Sequence, residues 1–169
     1  MLRLRPYKKC DAKYIISWIK DETAFRKWCA DRFEFFPISE RDINAQYDAM
    51  DNTDTFFPMT AFDESGVVGH LFLRFMDEEK RTLRFGYVVV ADTKRGMGYG
   101  REMLELASRY AFDILKVEKI TLGVFENNPA ALYCYKAAGF QEVASEGIQY
   151  YNMLGEKWKC IEMEKTNDL

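Results

Sequence analysis

The stretch that decides the fold is Lys94-Arg95-Gly96-Met97-Gly98-Tyr99-Gly100. It follows a predicted strand at residues 83–90 and opens a predicted helix at residues 101–116. Glycines allow a positive φ and a close approach of the backbone to a ligand, and the exposed N–H groups of such a loop form an anion site. The first N–H groups of the following helix add partial positive charge. Strand, loop and helix together predict a site for a phosphate group.

The glycine spacing alone does not identify the ligand. Gly96-x-Gly98-x-Gly100 is neither the dinucleotide fingerprint GxGxxG nor a P-loop, which needs Lys-Ser/Thr where Arg101-Glu102 stands. A dinucleotide loop also follows the first strand of a parallel unit, whereas residues 1–93 precede this loop. A tight turn whose glycines serve only backbone geometry is therefore an alternative at this point.

The composition limits the class of protein. A chain of 169 residues with 48% hydrophobic residues can bury a sizeable core, which excludes a disordered protein. The net charge of -3 gives no basic footprint for nucleic acid. The sequence shows neither a signal peptide nor an apolar run of the roughly 20 residues that a membrane span needs. Four cysteines without metal-ligand spacing and the single His70 predict no metal site and a reduced, cytoplasmic protein.

Periodicity and breaker residues predict one α/β domain over residues 1–169. Predicted strands cover residues 2–5, 56–62, 67–76, 83–90, 119–125, 140–145 and 158–164, and the three between 56 and 90 form an antiparallel meander. Predicted helices follow a cap at Asp11, cover residues 22–30 and 39–50, follow the glycine loop at 101–116, and span 130–138.

A second motif lies downstream of the loop. Asn128-Pro-Ala-Ala131-Leu-Tyr-Cys-Tyr135-Lys-Ala-Ala-Gly139-Phe140 fits N-x-x-A-x-x-x-Y-x-x-x-G-F, and RxxGxG precedes it at Arg95. With both motifs in this order, the chain resembles the GNAT family of acetyl-CoA-dependent N-acetyltransferases. The resemblance implies a mixed, mostly antiparallel central sheet of six or seven strands, flanked by about four or five helices, with splayed central strands.

The resemblance also implies how acetyl-CoA binds. Its pyrophosphate lies on the loop, and its pantetheine arm lies between the splayed strands, bonded to backbone at residues 88–90. The backbone N–H near Val88 faces the thioester oxygen and stabilises the oxyanion. The implied donor-binding residues are Val88, Val89, Val90, Arg95, Gly96, Met97, Gly98, Tyr99, Gly100, Arg101, Asn128, Ala131 and Tyr135.

Two residues of the second motif have alternative interpretations. Tyr135 matches the family tyrosine that protonates the leaving thiolate, because a phenol with an ordinary pKa of about 10 keeps its proton at neutral pH. A purely positioning role for its hydroxyl is the alternative. Asn128 matches the family asparagine that bonds the pantetheine arm, although an asparagine before Pro129 also suits a helix cap.

The general base is not defined by the sequence. Many family members carry a glutamate on the strand before the loop, but Leu83-Arg84-Phe85-Gly86-Tyr87-Val88 contains no carboxylate. The alternatives are a water chain to bulk solvent or one of five residues: Glu34, His70, Glu78, Glu79 and Glu126.

The acceptor side is predicted from the first two helices, the aromatic loop after them and the last two strands. The candidate acceptor-binding residues are Trp28, Arg32, Phe33, Phe35 and Tyr87, with Phe36, Tyr150 and Tyr151 as further wall candidates. A hydrophobic cluster that closes the helical layer is the alternative. The predicted function is acetyl transfer from acetyl-CoA, without a metal, to a small-molecule amine or a peptide N-terminus. A non-catalytic acyl-CoA-binding module is the competing class, and a monomer or a homodimer is expected.

Overall fold

The computed structural model describes residues 1–50, 54–143 and 148–167. It has eight strands, which are β1 (Arg3–Pro6), β2 (Phe56–Asp63), β3 (Gly66–Phe75), β4 (Thr82–Val90), β5 (Lys119–Phe125), β6 (Gln141–Glu142), β7 (Gln149–Met153) and β8 (Glu156–Thr166). The five α-helices are α1 (Ala12–Trp18), α2 (Glu22–Cys29), α3 (Glu40–Met50), α4 (Tyr99–Arg109) and α5 (Pro129–Ala137). Among the described residues no helix has the length and apolarity to cross a membrane.

The strands form one open sheet in the order β1-β2-β3-β4-β5-β8-β6, and β7 pairs with β8. All neighbouring strands run antiparallel except β4 and β5, which are parallel. The mixed, mostly antiparallel sheet and the flanking helices confirm the predicted architecture.

The strand count exceeds the predicted six or seven because β7 was not predicted as a strand. Its residues, Gln149–Met153, pair with β8 across a turn in which Leu154 and Gly155 both have positive φ, 52° and 77°. This conformation at both central residues is typical of a tight hairpin turn. The strand predicted at 140–145 is paired only at Gln141–Glu142, and residues 144–145 lie outside the described residues.

The sheet separates two hydrophobic cores. The larger core lies against α4 and α5 and includes Leu83, Phe85, Met103, Leu104, Ile120, Leu122, Tyr135 and Phe140. The smaller core lies against α1, α2 and α3 and includes Ile15, Trp18, Phe25, Phe33, Ile43, Phe72, Tyr87 and Val89. Complete burial of one Leu or Phe side chain stabilises a fold by about 1.5–3 kcal/mol, so both helical layers are held firmly to the sheet.

The helix after the glycine loop starts and ends differently from the prediction. It begins at Tyr99 rather than Arg101, and its α-helical part ends at Arg109. The chain continues as a π-helical turn, Tyr110–Ile114. Met103, Leu104 and the alanines that follow still form the predicted apolar stripe against the sheet.

Candidate active site

Strand β4 contains a bulge at Tyr87. Pairing with β3 passes directly from Gly86 to Val89, so that Tyr87 and Val88 together oppose the single residue Leu71. The φ of Tyr87 is 53°, in the left-handed region that non-glycine residues rarely adopt. A bulge of this kind bends a strand and is common beside active sites.

The bulge places two consecutive side-chain positions on one face of the sheet. A Cβ added at Gly86 would lie 2.1 Å from the Phe72 ring, so Gly86 faces the smaller core. Tyr87 is buried in that same core, whereas Val88 packs against the larger core. The regular alternation of faces resumes at the Tyr87–Val88 peptide, where the oxyanion contact is predicted.

Beyond the bulge, β4 and β5 separate. They pair only at Thr82, Leu83 and Arg84, opposite residues 119–121. In the described chain, residues 85–90 and 122–125 have no pairing with each other. Such a gap exposes unpaired backbone groups to an extended ligand. This confirms the predicted splay of the central strands.

The glycine loop leads from the end of β4 to the start of α4. Gly96 has a φ of 76° and Gly98 has a φ of 86°, so each needs the conformational freedom of glycine. Gly98 caps α4 without any side-chain hydrogen bond, and an added Cβ at either glycine would meet no atom within 4 Å. The first N–H groups of α4 thus face open space, which is the geometry of an anion site.

The loop is fixed to the rest of the protein by two side chains. Arg95 donates hydrogen bonds from Nη2 to the Trp18 carbonyl at 3.0 Å and from Nε to the Val90 carbonyl at 3.3 Å. The Tyr99 hydroxyl donates to Oδ2 of Asp63 at 2.7 Å. Arg95, predicted to contact the donor, therefore holds the loop in place through backbone carbonyls.

The other predicted loop residues are more exposed. Met97 is 63% exposed. Arg101 forms an exposed ion pair with Glu105 at 2.8 Å, one turn further along α4. Both side chains are therefore exposed beside the glycine loop.

Helix α5 contributes the second motif to this site. Asn128 caps the helix, since its Oδ1 accepts from the Ala131 N–H at 3.4 Å. A Cβ at Gly100 would lie 3.0 Å from Sγ of Cys134 and 3.7 Å from Cγ2 of Val90. The start of α4, the middle of α5 and the end of β4 therefore meet at one place.

Tyr135 lies in the larger core, on the side of the sheet where Val88 also packs. It is 8% exposed, and burial raises the pKa of its hydroxyl above the ordinary value. No hydrogen bond joins this hydroxyl to another described residue. The phenol therefore keeps its proton at neutral pH.

The predicted acceptor residues converge on the bulge, with one exception. Trp28 donates from Nε1 to the Tyr87 carbonyl at 2.9 Å, and its ring lies 4.5 Å from the Tyr87 ring. Phe33 stacks on Trp28 at 6.2 Å, and Arg32 lies over the Tyr87 ring at 5.4 Å. Phe35 is 73% exposed and has no ring contact with the other described residues.

A hydrogen-bond chain holds Tyr87 from the helical side. Its hydroxyl donates to Oε1 of Gln46 at 2.6 Å, and Gln46 Nε2 donates to the Arg32 carbonyl at 3.2 Å. Burial raises the pKa of Tyr87 to about 12. Sequence reasoning missed Gln46, because a glutamine on a helix carries no distinctive signal.

The structure excludes His70 as the general base. Its side chain is 1% exposed, and Nε2 lies 2.6 Å from the Tyr47 hydroxyl. Burial lowers the pKa of His70 to about 3, so it stays neutral and inaccessible at physiological pH. The four glutamates that were alternatives, Glu34, Glu78, Glu79 and Glu126, are all exposed.

Sequence reasoning also missed an ion pair, which lies on the acceptor side of the gap. Nη1 and Nη2 of Arg84 contact Oε1 and Oε2 of Glu162 at 2.5 and 3.2 Å, and Nη1 also donates to Thr121. A Cβ at Gly123 would lie 3.0 Å from Arg84 Nη2, so glycine leaves room for this pair. The sequence does contain a signal, an arginine between two apolar residues of a buried strand.

Known proteins resemble the chain over most of its length. Residues 20–140 match the model of the acetyltransferase (GNAT) family. Spermidine N(1)-acetyltransferase of Vibrio cholerae is 26% identical over 141 residues, which cover 83% of this chain and 79% of that protein. The spermidine N(1)-acetyltransferase of Escherichia coli K12 is 23% identical over 164 residues, covering 96% and 84%.

The solved structures agree in fold. The crystal structure of spermidine N-acetyltransferase from Vibrio cholerae in complex with CoA and spermine superposes with a TM-score of 0.82 at 22% identity. The match covers 98% of this chain and 95% of that one. With the divided sheet and the anion-binding loop, these matches show that the chain belongs to the acetyltransferase (GNAT) family.

Proposed function

We propose that this acetyl-CoA-dependent N-acetyltransferase binds both substrates at once, with the donor in the gap between β4 and β5 and a primary amine at the bulge. The observation that carries the proposal is the gap itself. It begins after Arg84, contains the bulge at Tyr87 and opens towards the free N–H groups of α4. An extended ligand with an anionic end fits this arrangement.

The donor contacts follow from the order of these features. The N–H groups of residues 96–101 hold the pyrophosphate, and Arg95 keeps their loop in place. The pantetheine amides bond to the backbone of residues 88–90 and to Asn128, whose Oδ1 already caps α5 at Ala131. This order leaves the thioester beside the bulge.

The reaction is a direct acyl transfer. The neutral amine attacks the thioester carbon, and the Val88 N–H stabilises the oxyanion that forms. The C–S bond then breaks, and Tyr135 gives its proton to the leaving thiolate. The amine loses its proton to water, because the buried His70 is unsuitable as a base, and water returns a proton to the Tyr135 phenolate.

Fewer features of the chain define the acceptor than define the donor. The named relatives act on spermidine, which makes a small amine the first acceptor to test and a peptide N-terminus the second. The comparisons give no support to a non-catalytic acyl-CoA-binding module.

A thiol-release assay with purified protein tests the proposal. Acetyl-CoA is mixed with a panel of small amines and short peptides, and calorimetry measures donor binding separately. We expect donor binding and acceptor-dependent release of CoA. Donor binding without release on any acceptor would instead favour the non-catalytic module.

A further inference from the structure

Two arginines stand directly opposite each other in the sheet at the edge of the gap. Arg74 on β3 pairs with Arg84 on β4, in the same register that sets Phe72 opposite Gly86. Because side chains two residues apart share a face, both arginines lie on the Phe72 face, towards the smaller core. The guanidinium of Arg32 lies over the same Phe72 ring at 5.6 Å.

These three guanidinium groups are not balanced by carboxylates. Arg84 pairs with Glu162, but neither Arg32 nor Arg74 has a carboxylate partner in the described parts of the chain. Nε of Arg74 is buried and has no hydrogen-bond partner among them. Burial, and then the charges of Arg32 and Arg84, lower the pKa of Arg74.

Such an arrangement costs stability when nothing binds to it. Like charges directly opposite each other in a sheet are destabilising, and so is a buried donor without a partner. An anion between the guanidinium groups would offset their mutual repulsion. Arginine is the side chain best suited to hold a carboxylate or a phosphate, because its planar fork donates two parallel hydrogen bonds.

The cluster lies beside the predicted reaction centre. Arg84 is the last residue of β4 that pairs with β5, so it marks the closed end of the gap. Arg32 stacks on Tyr87, the residue before Val88. A molecule whose anionic end is held here has its other end free to enter the gap.

A polyamine fits this face poorly. The carboxylates of β8 on this side are already paired, Glu162 with Arg84 and Glu164 with Lys119. Asp31 is exposed, and together with β7 it lines a cavity of about 530 Å³. At 22–26% identity, the acceptor surface of this chain is free to differ from that of the spermidine-acetylating relatives.

We infer that the acceptor is a primary amine that also carries an anionic group, a carboxylate or a phosphate, held by Arg74 and Arg32. This rests on the acetyl transfer proposed above. Glu162 keeps Arg84 in position at the end of the gap. Arg74, whose Nη2 makes only a weak hydrogen bond to Sδ of Met76 at 3.7 Å, and the exposed Arg32 supply donors that have no carboxylate partner among the described residues.

Amines of matched chain length test the inference. Butylamine, 4-aminobutanoate and 1,4-diaminobutane present a neutral, an anionic and a cationic end, and 3-aminopropyl phosphate supplies the phosphate arm. We expect kcat/KM for one of the two anionic amines to exceed that for butylamine by at least about tenfold, as for one charge-assisted hydrogen bond. The anionic amine with the larger increase in kcat/KM shows whether the site prefers a carboxylate or a phosphate.

The outcomes separate this inference from the function on which it rests. Equal or faster acetylation of 1,4-diaminobutane or spermidine would overturn the anionic acceptor and leave the N-acetyltransferase intact. Release of CoA with none of the amines and none of the short peptides, despite donor binding, would overturn acetyl transfer itself.

Variants of Arg74 provide the second test. We expect Arg74→Gln to lower kcat/KM for the preferred anionic amine by at least about tenfold and that for butylamine by less than about twofold. Arg74→Lys should keep part of the preference, and Arg109→Gln, on the exposed side of α4, should keep all of it. An equal loss of kcat/KM for both amines would show that Arg74 has only a structural role. If Arg74→Gln does not fold, Arg32→Gln allows the same comparison at an exposed residue.

Discussion

Gly98 lies where the glycine loop ends and α4 begins. Its φ of 86° starts α4, and the space in front of it is open. The Cβ of a side chain there would therefore enter open space without contacting another part of the protein. This separates the effect of a substitution on binding from its effect on packing.

We predict that Gly98→Asp weakens acetyl-CoA binding by at least about tenfold, because a carboxylate would lie against the pyrophosphate. Calorimetry on the folded variant measures this. Gly155→Asp is the matched control, since Gly155 has a similar φ of 77° and equally open space, but lies in the turn between β7 and β8. Unchanged affinity in Gly98→Asp would contradict the position of the pyrophosphate.

Tyr135 allows a kinetic prediction. Tyr135→Phe should lower kcat by about 100-fold and change KM much less, because phenylalanine lacks the hydroxyl proton that is transferred to the thiolate only in the transition state. Tyr133→Phe is the control on the same helix, as Tyr133 is 78% exposed and faces away from the core. Steady-state kinetics with a fixed acceptor measure both, and an unchanged kcat in Tyr135→Phe would remove its role as acid.

Single residues differed in how far the sequence revealed them. The spacing of Gly96 and Gly98 predicts a phosphate loop or a tight turn, whereas the role of Tyr135 was implied only by the family resemblance. Arg84 does carry a local signal, as an arginine between two apolar residues of a strand, but its position opposite Arg74 depends on the register between two strands. Pairing across strands is a long-range property that no local pattern encodes.

At the scale of elements, β4 and β5 form an incomplete pair. They pair at residues 82–84 and 119–121, which close one end of the gap, while residues 85–90 and 122–125 diverge. The strands were predictable from their apolar runs, and their divergence was implied by the family resemblance. The short β7 was not, because Tyr150, Asn152 and Gln149 give it a polar surface that does not alternate clearly with the rest.

We predict that acetyl-CoA slows amide hydrogen exchange in residues 85–90 and 122–125 more than in β1, because the pantetheine arm supplies partners for the backbone in the gap. Mass spectrometry of exchanged peptides measures this. The Gly98→Asp protein at the same donor concentration is the control and should show little change. Equal protection of β1 and the gap would indicate general tightening instead of a bound arm.

At the scale of the whole molecule, Asp11 joins the N-terminal segment to the sheet. It is 2% exposed, and it accepts hydrogen bonds from Arg5 on β1, from the Lys8 N–H and from Thr60 on β2. Burial would raise the pKa of Asp11, but these hydrogen bonds outweigh it and lower the pKa below the ordinary 3.8.

We predict that Asp11→Asn lowers the free energy of unfolding at pH 7 by about 2 kcal/mol, because the buried carboxylate loses the charge-assisted hydrogen bonds that it accepts from the partly exposed Arg5. A carboxyl with a lowered folded pKa stabilises above its unfolded pKa and loses that contribution as the pH falls through the folded pKa. The difference between the two proteins should therefore shrink below pH 3.8.

Urea denaturation across this pH range measures that difference. Asp48→Asn is the control, since its ion pair with Lys9 is exposed and contributes no more than about 1 kcal/mol. A difference that stays constant down to pH 2 would show that Asp11 stabilises the fold by shape and not by charge.

The bulge at Tyr87 leaves the pleat on either side of it undisturbed. Leu83 and Phe85 before it, and Val88 after it, pack against the larger core. With Tyr87 removed, the alternation would run without interruption, and each of these side chains would keep its present face. The pairing of the sheet therefore does not depend on Tyr87, although its ring fills part of the smaller core, where it is 4% exposed. The bulge amounts to a single inserted residue, so the backbone opening can be gained or lost without moving the neighbouring side chains from one face of the sheet to the other.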